Sequence, residues 1–229
     1  MTNEEIFSHI DHTLLRAISS WIEIEKLCAE AIHLKTASVC VPPSYVKPIY
    51  DMFGNRLTIC TVIGFPLGYN ACAAKAREAE IALASGAAEL DMVINLGDVK
   101  NGAFDKVKEE ISALKIIAGN RILKVIVETC YLTEEEKIKL CEIVTACDAD
   151  YIKTSTGFGS SGAALTDVLL FKKHVGSAVK IKAAGGIKTR EDILSFLEAG
   201  CDRIGTSSAV LLLQCGTNNA ATLPAAALY

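Results

Sequence analysis

Short apolar runs of strand type alternate along this chain with longer stretches of helical period. The runs are HIDHTLL, ASVCVPP, LTICTVIGF, AELDMVIN, ILKVIVETC, DYIKTSTG, AVKIKAAGG and DRIGTS, short segments of mostly β-favouring residues between turn signals. Between them lie WIEIEKLCAEAI, AKAREAEIALAS, KVKEEISALKIIA and EDILSFLEA, whose apolar positions recur three and four residues apart, as on one face of a helix. Gly54, Gly86, Gly119, Gly176 and Gly200 each follow a helical stretch, where a left-handed residue commonly ends the helix. Thr133 with Glu136, and Thr189 with Asp192, set a capping oxygen three residues before an acid, which marks helix starts after the fifth and seventh runs. The pattern predicts a repeated βα unit with eight strands. A chain of 229 residues with eight parallel strands fits the compact end of the (β/α)8 TIM barrel, a single α/β domain over residues 1–229. An open doubly wound sheet is the alternative, but no G-x-G-x-x-G follows the first run. Residues 216–229 are expected to form a loose C-terminal tail.

Strand alternation then sorts the side chains by face. One set is plainly apolar and belongs against the helices: Val39 and Val41, Met92 and Ile94, Val125 and Val127, and Ile181. The opposite set is polar: Asp11 and Thr13, Ser38 and Cys40, Thr61, Asp91 and Asn95, Lys124 and Glu128, Lys153 and Ser155, Lys180 and Lys182. Barrel interiors are ordinarily layered with branched apolar residues. Buried ions cost several kcal/mol each unless paired, so these residues must compensate one another. One reading is a purely structural ion-pair network. The other is a reaction centre, since most of the charges fall late in their strands, at the C-terminal rim where barrels of this type carry their sites.

Composition narrows the choice. The net charge is -4 and no basic run occurs, which argues against nucleic acid as the main partner. Nine cysteines without a C-x-x-C pair read as reduced thiols of a cytoplasmic protein. The opening MTNEEIFSHID lacks the layout of a signal peptide, and no apolar run reaches the length of a membrane span. Metal chemistry finds little support: His9 and His12 point to opposite faces of one strand, and the cysteines lack ligand spacing. No G-x-S-x-G elbow suggests a serine nucleophile.

Lysine chemistry fits better. A free lysine amine has a pKa of about 10.4, and bringing it to ~7 takes roughly 4–5 kcal/mol of selective destabilisation of the ammonium. Burial and a second cation supply that. Lys153 and Lys182 lie on neighbouring strands, both inward and near the rim, so one ammonium can discourage the other and leave a Schiff-base nucleophile. Asp91, two strands from Lys153, can balance Lys182 and relay protons. From the inward set Asp11, Thr13, Cys40 and Lys124, with Thr156 in the turn after the sixth strand, are the candidate substrate contacts; Cys40 also reads as a packing thiol. Past strands seven and eight, KAAGGIKT and RIGTSSAV bring Gly185, Gly186, Gly205, Ser207 and Ser208 together. Backbone N–H groups there favour an anion, and such barrels often bind phosphate at this place.

Taken in order, the motifs IDHTLL, VCVPPSYV, VIGFPLG, LDMVIN, LKVIVET, IKTSTGF, IKAAGGI and DRIGTSSAV resemble those of the class I deoxyribose-phosphate aldolases, over residues 10–210. The resemblance implies Lys153 as the imine-forming lysine, Lys182 as the cation that perturbs it and Asp91 as the proton-relay acid. Spacing alone leaves Lys180 and Lys182 equivalent; the resemblance selects Lys182. It further implies reversible cleavage of 2-deoxy-D-ribose 5-phosphate into acetaldehyde and D-glyceraldehyde 3-phosphate, with no cofactor and no metal. The expected partners are the phosphorylated sugar and other copies of the chain, as a homodimer or higher homo-oligomer. Some members carry a phosphate-binding lysine where this chain has Phe158, which leaves the phosphate to backbone donors with Lys188, Arg190 or Arg203 nearby. Some also end in a mobile tail whose terminal tyrosine approaches the site, and this chain ends in Tyr229. The rival readings are another Schiff-base barrel aldolase for a phosphorylated keto substrate and a catalytically silent sugar-phosphate sensor. A sensor would be expected to lose the nucleophilic lysine, whereas all three charged positions are present.

Overall fold

Each of the eight apolar runs forms a strand, and the strands close on themselves in chain order. The computed structural model describes residues 1–214, so the tail 216–229 and Tyr229 lie outside the described residues. In chain order the elements begin α1 (Asn3–Phe7), β1 (Ile10–Thr13), α2 (Trp21–Leu34), β2 (Ser38–Val41), α3 (Val46–Phe53), β3 (Ile59–Ile63), α4 (Cys72–Ala84), β4 (Glu89–Val93) and α5 (Leu96–Lys100). They continue with α6 (Phe104–Ala118), β5 (Ile122–Ile126), α7 (Glu134–Ala146), β6 (Tyr151–Lys153), α8 (Leu165–His174), β7 (Lys180–Ala184), α9 (Arg190–Glu198), β8 (Arg203–Thr206) and α10 (Ala209–Gln214). Every neighbouring pair is parallel, and β1 pairs with β8 through Asp11 and Gly205. This is a (β/α)8 barrel.

Helix ends follow the local chemistry. Thr133 and Thr189 make reciprocal capping boxes with Glu136 and Asp192, as their spacing predicts, and Ser20 with Glu23 makes a third. Gly54, Gly86, Gly119 and Gly200 all adopt positive φ. Gly176 does not, because α8 leaves through an extended Val175. Glycine is needed there for space: a Cβ would stand 2.5 Å from Thr145 Cγ2.

The core lies between the strands and the helices. Val39, Val41, Met92, Ile94, Val125, Val127 and Ile181 all belong to one buried apolar cluster with Ile24, Ile111, Leu140 and Phe171 from the helices. Full burial of each such side chain contributes about 1.5–3 kcal/mol, which makes this layer the main source of stability. Inside the barrel the apolar content is small: Cys40, Cys60 and Val62, with Leu15 and Phe65 packed on them. Val93, Ile126, Tyr151 and Ala184 share the inward parity and are buried too, and the charged residues lie among them.

Two face assignments change. Thr61 does not point inward; its hydroxyl donates to the Val41 carbonyl at 2.8 Å, and the residue before it, Cys60, occupies the interior against Asp91 and Lys124. A polar-inside rule favours threonine over cysteine, but a strand carbonyl satisfies the hydroxyl locally. Lys180 also leaves the interior set, because it is exposed at the entry end of β7, near the Tyr151 ring. Asn95 caps α5 by accepting from Gly97 N at 3.0 Å.

Candidate active site

The centre is Asp91, fully buried midway along β4. Its Oδ2 accepts from Lys153 Nζ at 2.8 Å and from Lys182 Nζ at 2.7 Å, while Oδ1 accepts from Lys124 Nζ at 2.8 Å. Barrel register explains the convergence. Asp91 pairs with Lys124 across β4 and β5, and Lys153 pairs with Lys182 across β6 and β7. Burial alone would raise the Asp91 carboxyl, but Lys124, Lys153 and Lys182 outweigh it and hold the group well below the usual carboxylate range.

A second carboxylate supports the first. Lys182 Nζ lies 2.5 Å from Asp11 Oδ2, and Asp11 Oδ1 accepts from Ser38 Oγ at 2.7 Å and from the Arg203 guanidinium. Burial by itself would lower the Lys182 ammonium, yet Asp11 and Asp91 raise it well above its ordinary value, so it is a fixed cation. Glu89 completes the network, 2.6 Å from Lys124 and 3.0 Å from Arg203. Glu89, Cys60 and Arg203 are participants that sequence reasoning missed. Glu89 carries the same strand parity as Asp91, and that signal was there to be used. Arg203 begins β8, where a charge reads equally well as a solvated end.

Above this network opens a cavity of about 350 Å³. Lys153 lies at its base, and Thr13, Leu15, Thr156, Phe158, Lys188 and the Gly185–Gly186 turn are on its walls, with Gly205, Ser207 and Ser208 alongside. All five residues expected at a phosphate cradle therefore face one space. Of the expected substrate contacts, Thr13 and Thr156 line the cavity, whereas Asp11, Cys40 and Lys124 lie deeper, committed to the ion network or to the small apolar cluster. Of the three cations expected near the cradle, Lys188 is the one that lines this cavity. Arg203 is at the opposite end of β8, and Arg190 reaches towards the Met1 carbonyl instead. Gly205 also makes room for its neighbours on β7, since a Cβ there would stand 3.2 Å from Lys182 Cε and 3.0 Å from Ala184 Cβ.

The donor atoms of Cys40, Cys60 and Asp91 lie within 4.8 Å of one another. They do not fit a resident cation, because three ammonium groups already occupy the Asp91 carboxylate and Lys124 is 3.3 Å from Cys60 Sγ. His9 and His12 are engaged away from this cluster, His9 Nδ1 with the Asp202 carbonyl and His12 Nε2 with Glu30, each at 2.9 Å.

Residues 6–214 match the family model described as DeoC/LacD family aldolase. The chain belongs to that family. It is 59% identical over 214 residues to the deoxyribose-phosphate aldolase of Clostridium botulinum (strain Alaska E43 / Type E3), covering 93% of this chain and 97% of that one. The solved aldolase QR15 superposes with a TM-score of 0.88 at 41% identity, over 92% of this chain and 95% of its own. The tetrameric deoxyribose phosphate aldolase from Aeropyrum pernix gives 0.87 at 31% identity, over 93% and 91%. Membership in the DeoC/LacD aldolases fits the arrangement described above, with a lysine amine at the base of the cavity and a buried ion-pair network of acids and bases beneath it.

Proposed function

We infer that the chain is a deoxyribose-phosphate aldolase, cleaving 2-deoxy-D-ribose 5-phosphate reversibly into acetaldehyde and D-glyceraldehyde 3-phosphate. The observation that carries this reading is Lys153 Nζ at the cavity base, sharing one carboxylate oxygen of Asp91 with Lys182. In the proposed reaction the Lys153 amine attacks the C1 aldehyde and loss of water gives a protonated imine. The C3 hydroxyl then gives up its proton as the C2–C3 bond breaks, and the bonding electrons pass into the imine to form an enamine. Glyceraldehyde 3-phosphate leaves, C2 takes a proton, and hydrolysis of the imine frees acetaldehyde and the amine. Asp91 and Lys182 form the proton relay.

Access supports Lys153 as the reacting amine. The ion-paired interior contains four bases (Lys124, Lys153, Lys182 and Arg203) and three carboxylates (Asp11, Glu89 and Asp91). Lys182 and Lys124 are sealed beneath, while Lys153 opens to the cavity.

The phosphate is assigned to the backbone donors of Gly185, Gly186 and Gly205–Ser208, with Lys188 as the nearby cation. A role in deoxyribose phosphate catabolism follows from the substrate. The eight cysteines among the described residues are all free thiols, which suits a reducing cytoplasm. No helix among the described residues is long and apolar enough to cross a membrane. A homo-oligomer is part of the proposal, by likeness to the tetrameric Aeropyrum pernix relative.

The test is borohydride reduction in the presence of deoxyribose 5-phosphate, followed by peptide mass mapping. The added mass is expected on the peptide containing Lys153 and is lost in Lys153→Ala. A label on Lys124 or Lys182 with Lys153 spared would refute the assignment.

A further inference from the structure

Glu128 lies just beyond β5, buried, with a left-handed backbone (φ 54°, ψ 68°). That region is uncommon for a residue with a long side chain, and such strain persists where the surroundings enforce it. The enforcing contacts are specific. Both carboxylate oxygens accept from Thr156 N at 3.2 Å, and Oε2 also accepts from the Thr156 hydroxyl. The same hydroxyl accepts from Phe158 N at 3.0 Å. The carboxylate thus grips the start of the loop between β6 and α8 at two donors and a relay. Further along, Gly159 packs so close that a Cβ there would stand 3.1 Å from the Glu128 carboxyl carbon and 2.8 Å from Cys130 Sγ.

That loop is one wall of the cavity, and it also seats the opposite wall. A Cβ on Gly185 would lie 3.2 Å from both Gly157 Cα and Gly162 Cα, and Ala163 N donates to the Gly185 carbonyl at 3.1 Å. Glu128 itself does not line the cavity. Contact therefore runs from Glu128 through Thr156 and Phe158 to Gly157, and from there to the Gly185–Gly186 turn.

We propose that Glu128 is a positioning residue for the phosphate end of the site: its carboxylate holds the Thr156–Gly162 loop in the shape that braces the Gly185–Gly186 turn, and so fixes affinity for a phosphate monoester. This rests on the aldolase reading for the identity of the substrate, but the geometry calls only for a phosphorylated ligand. The Thr156 hydroxyl follows as a link of this brace, its proton directed at Glu128.

Glycine at 128 separates positioning from folding, because it adopts the left-handed backbone without the Cβ penalty yet removes the carboxylate. Glu128→Gly is expected to melt close to the parent and to bind glycerol 3-phosphate, which has no carbonyl and cannot form an imine, on the order of tenfold more weakly by calorimetry. Its KM for deoxyribose 5-phosphate should rise by a similar factor with a smaller change in kcat, and borohydride trapping of acetaldehyde on Lys153 should persist. Glu128→Gln keeps one acceptor at the same reach and should recover part of the affinity; Thr156→Val should reproduce the loss. Unchanged glycerol 3-phosphate affinity in a folded Glu128→Gly would overturn the inference, as would loss of acetaldehyde trapping in step with that affinity. Failure of the parent itself to be trapped would count against the aldolase reading instead, and the glycerol 3-phosphate comparison would still decide Glu128.

Discussion

Replacing Asp91 by asparagine removes one negative charge from the point where three ammonium groups meet, at 2.7–2.8 Å. Asparagine keeps the volume and one acceptor oxygen, so the change is mainly electrostatic. The interior would then hold two carboxylates against four bases, all largely removed from water. Breaking a buried pair from one side costs about 3–5 kcal/mol, because the surviving charge has been desolvated without compensation. For a domain of this size each kcal/mol moves the midpoint by roughly 2–4 °C, so Asp91→Asn should melt on the order of 10 °C below the parent at neutral pH. Removing the opposing base as well, in Asp91→Asn with Lys124→Met, should recover part of the loss, with a coupling of about 0.5–3 kcal/mol. The pH dependence has a definite sign. Asp91 titrates in the folded state well below its unfolded value of about 3.9, so its contribution is fully present above that value and is lost as pH falls towards the folded one. The gap between parent and variant should therefore narrow below about pH 4. Cleavage of deoxyribose 5-phosphate should fall by about 10²–10⁴ when the proton relay is removed. Thermal melts at pH 7 and pH 3, with a coupled assay of glyceraldehyde 3-phosphate, make the measurement. A variant that melts with the parent at both pH values and turns over normally would refute the electrostatic account.

Lys182→Leu should slow turnover strongly and move the acid limb of the pH–rate profile upward, because Asp91 Oδ2 would then serve Lys153 alone and hold its proton more firmly; an unmoved limb removes Lys182 from the mechanism. At the cradle, Gly185→Ala should raise the KM for the phosphorylated sugar more than Gly186→Ala does. A Cβ at 185 meets two backbone carbons at 3.2 Å, whereas at 186 it meets one at 3.7 Å, and equal effects would mean that φ strain, shared by both, is the whole cause.

Strand count, order and most of the inward faces were legible because alternation is a local signal and the helix caps are written in single residues. Parity and strand adjacency put Lys153 beside Lys180 or Lys182 without choosing between them, and the resemblance selected Lys182. What parity could not supply was depth. Asp11, Cys40 and Lys124 are inward but lie beneath the cavity, because how far each strand is shifted along the barrel axis depends on closure of the whole sheet. Thr61 and Cys60 were exchanged because polarity was weighed over packing, and a hydroxyl is cheaply satisfied by a neighbouring strand carbonyl. The left-handed backbone of Glu128 had no sequence signal, since nothing about a glutamate marks positive φ; only the loop it grips makes the conformation intelligible.

A barrel interior filled with ions is a poor way to gain stability, since well-packed apolar residues of similar volume often do as well or better. The arrangement makes sense if the charges hold one amine in place while leaving it free to react. An apolar interior would isolate Lys153, and a lysine with a private carboxylate would remain an ammonium in a tight pair. Here Asp91 Oδ2 is divided between two lysines, and the second, Lys182, is held charged by Asp11 from below. Glu89 and Arg203 carry the same logic one layer down: Glu89 shares Lys124 with Asp91, and Arg203 balances Asp11 and Glu89. Lys153 is then the member of the network that opens to the cavity, where a carbonyl can meet it, and the apolar layer between strands and helices supplies the stability that such an interior costs.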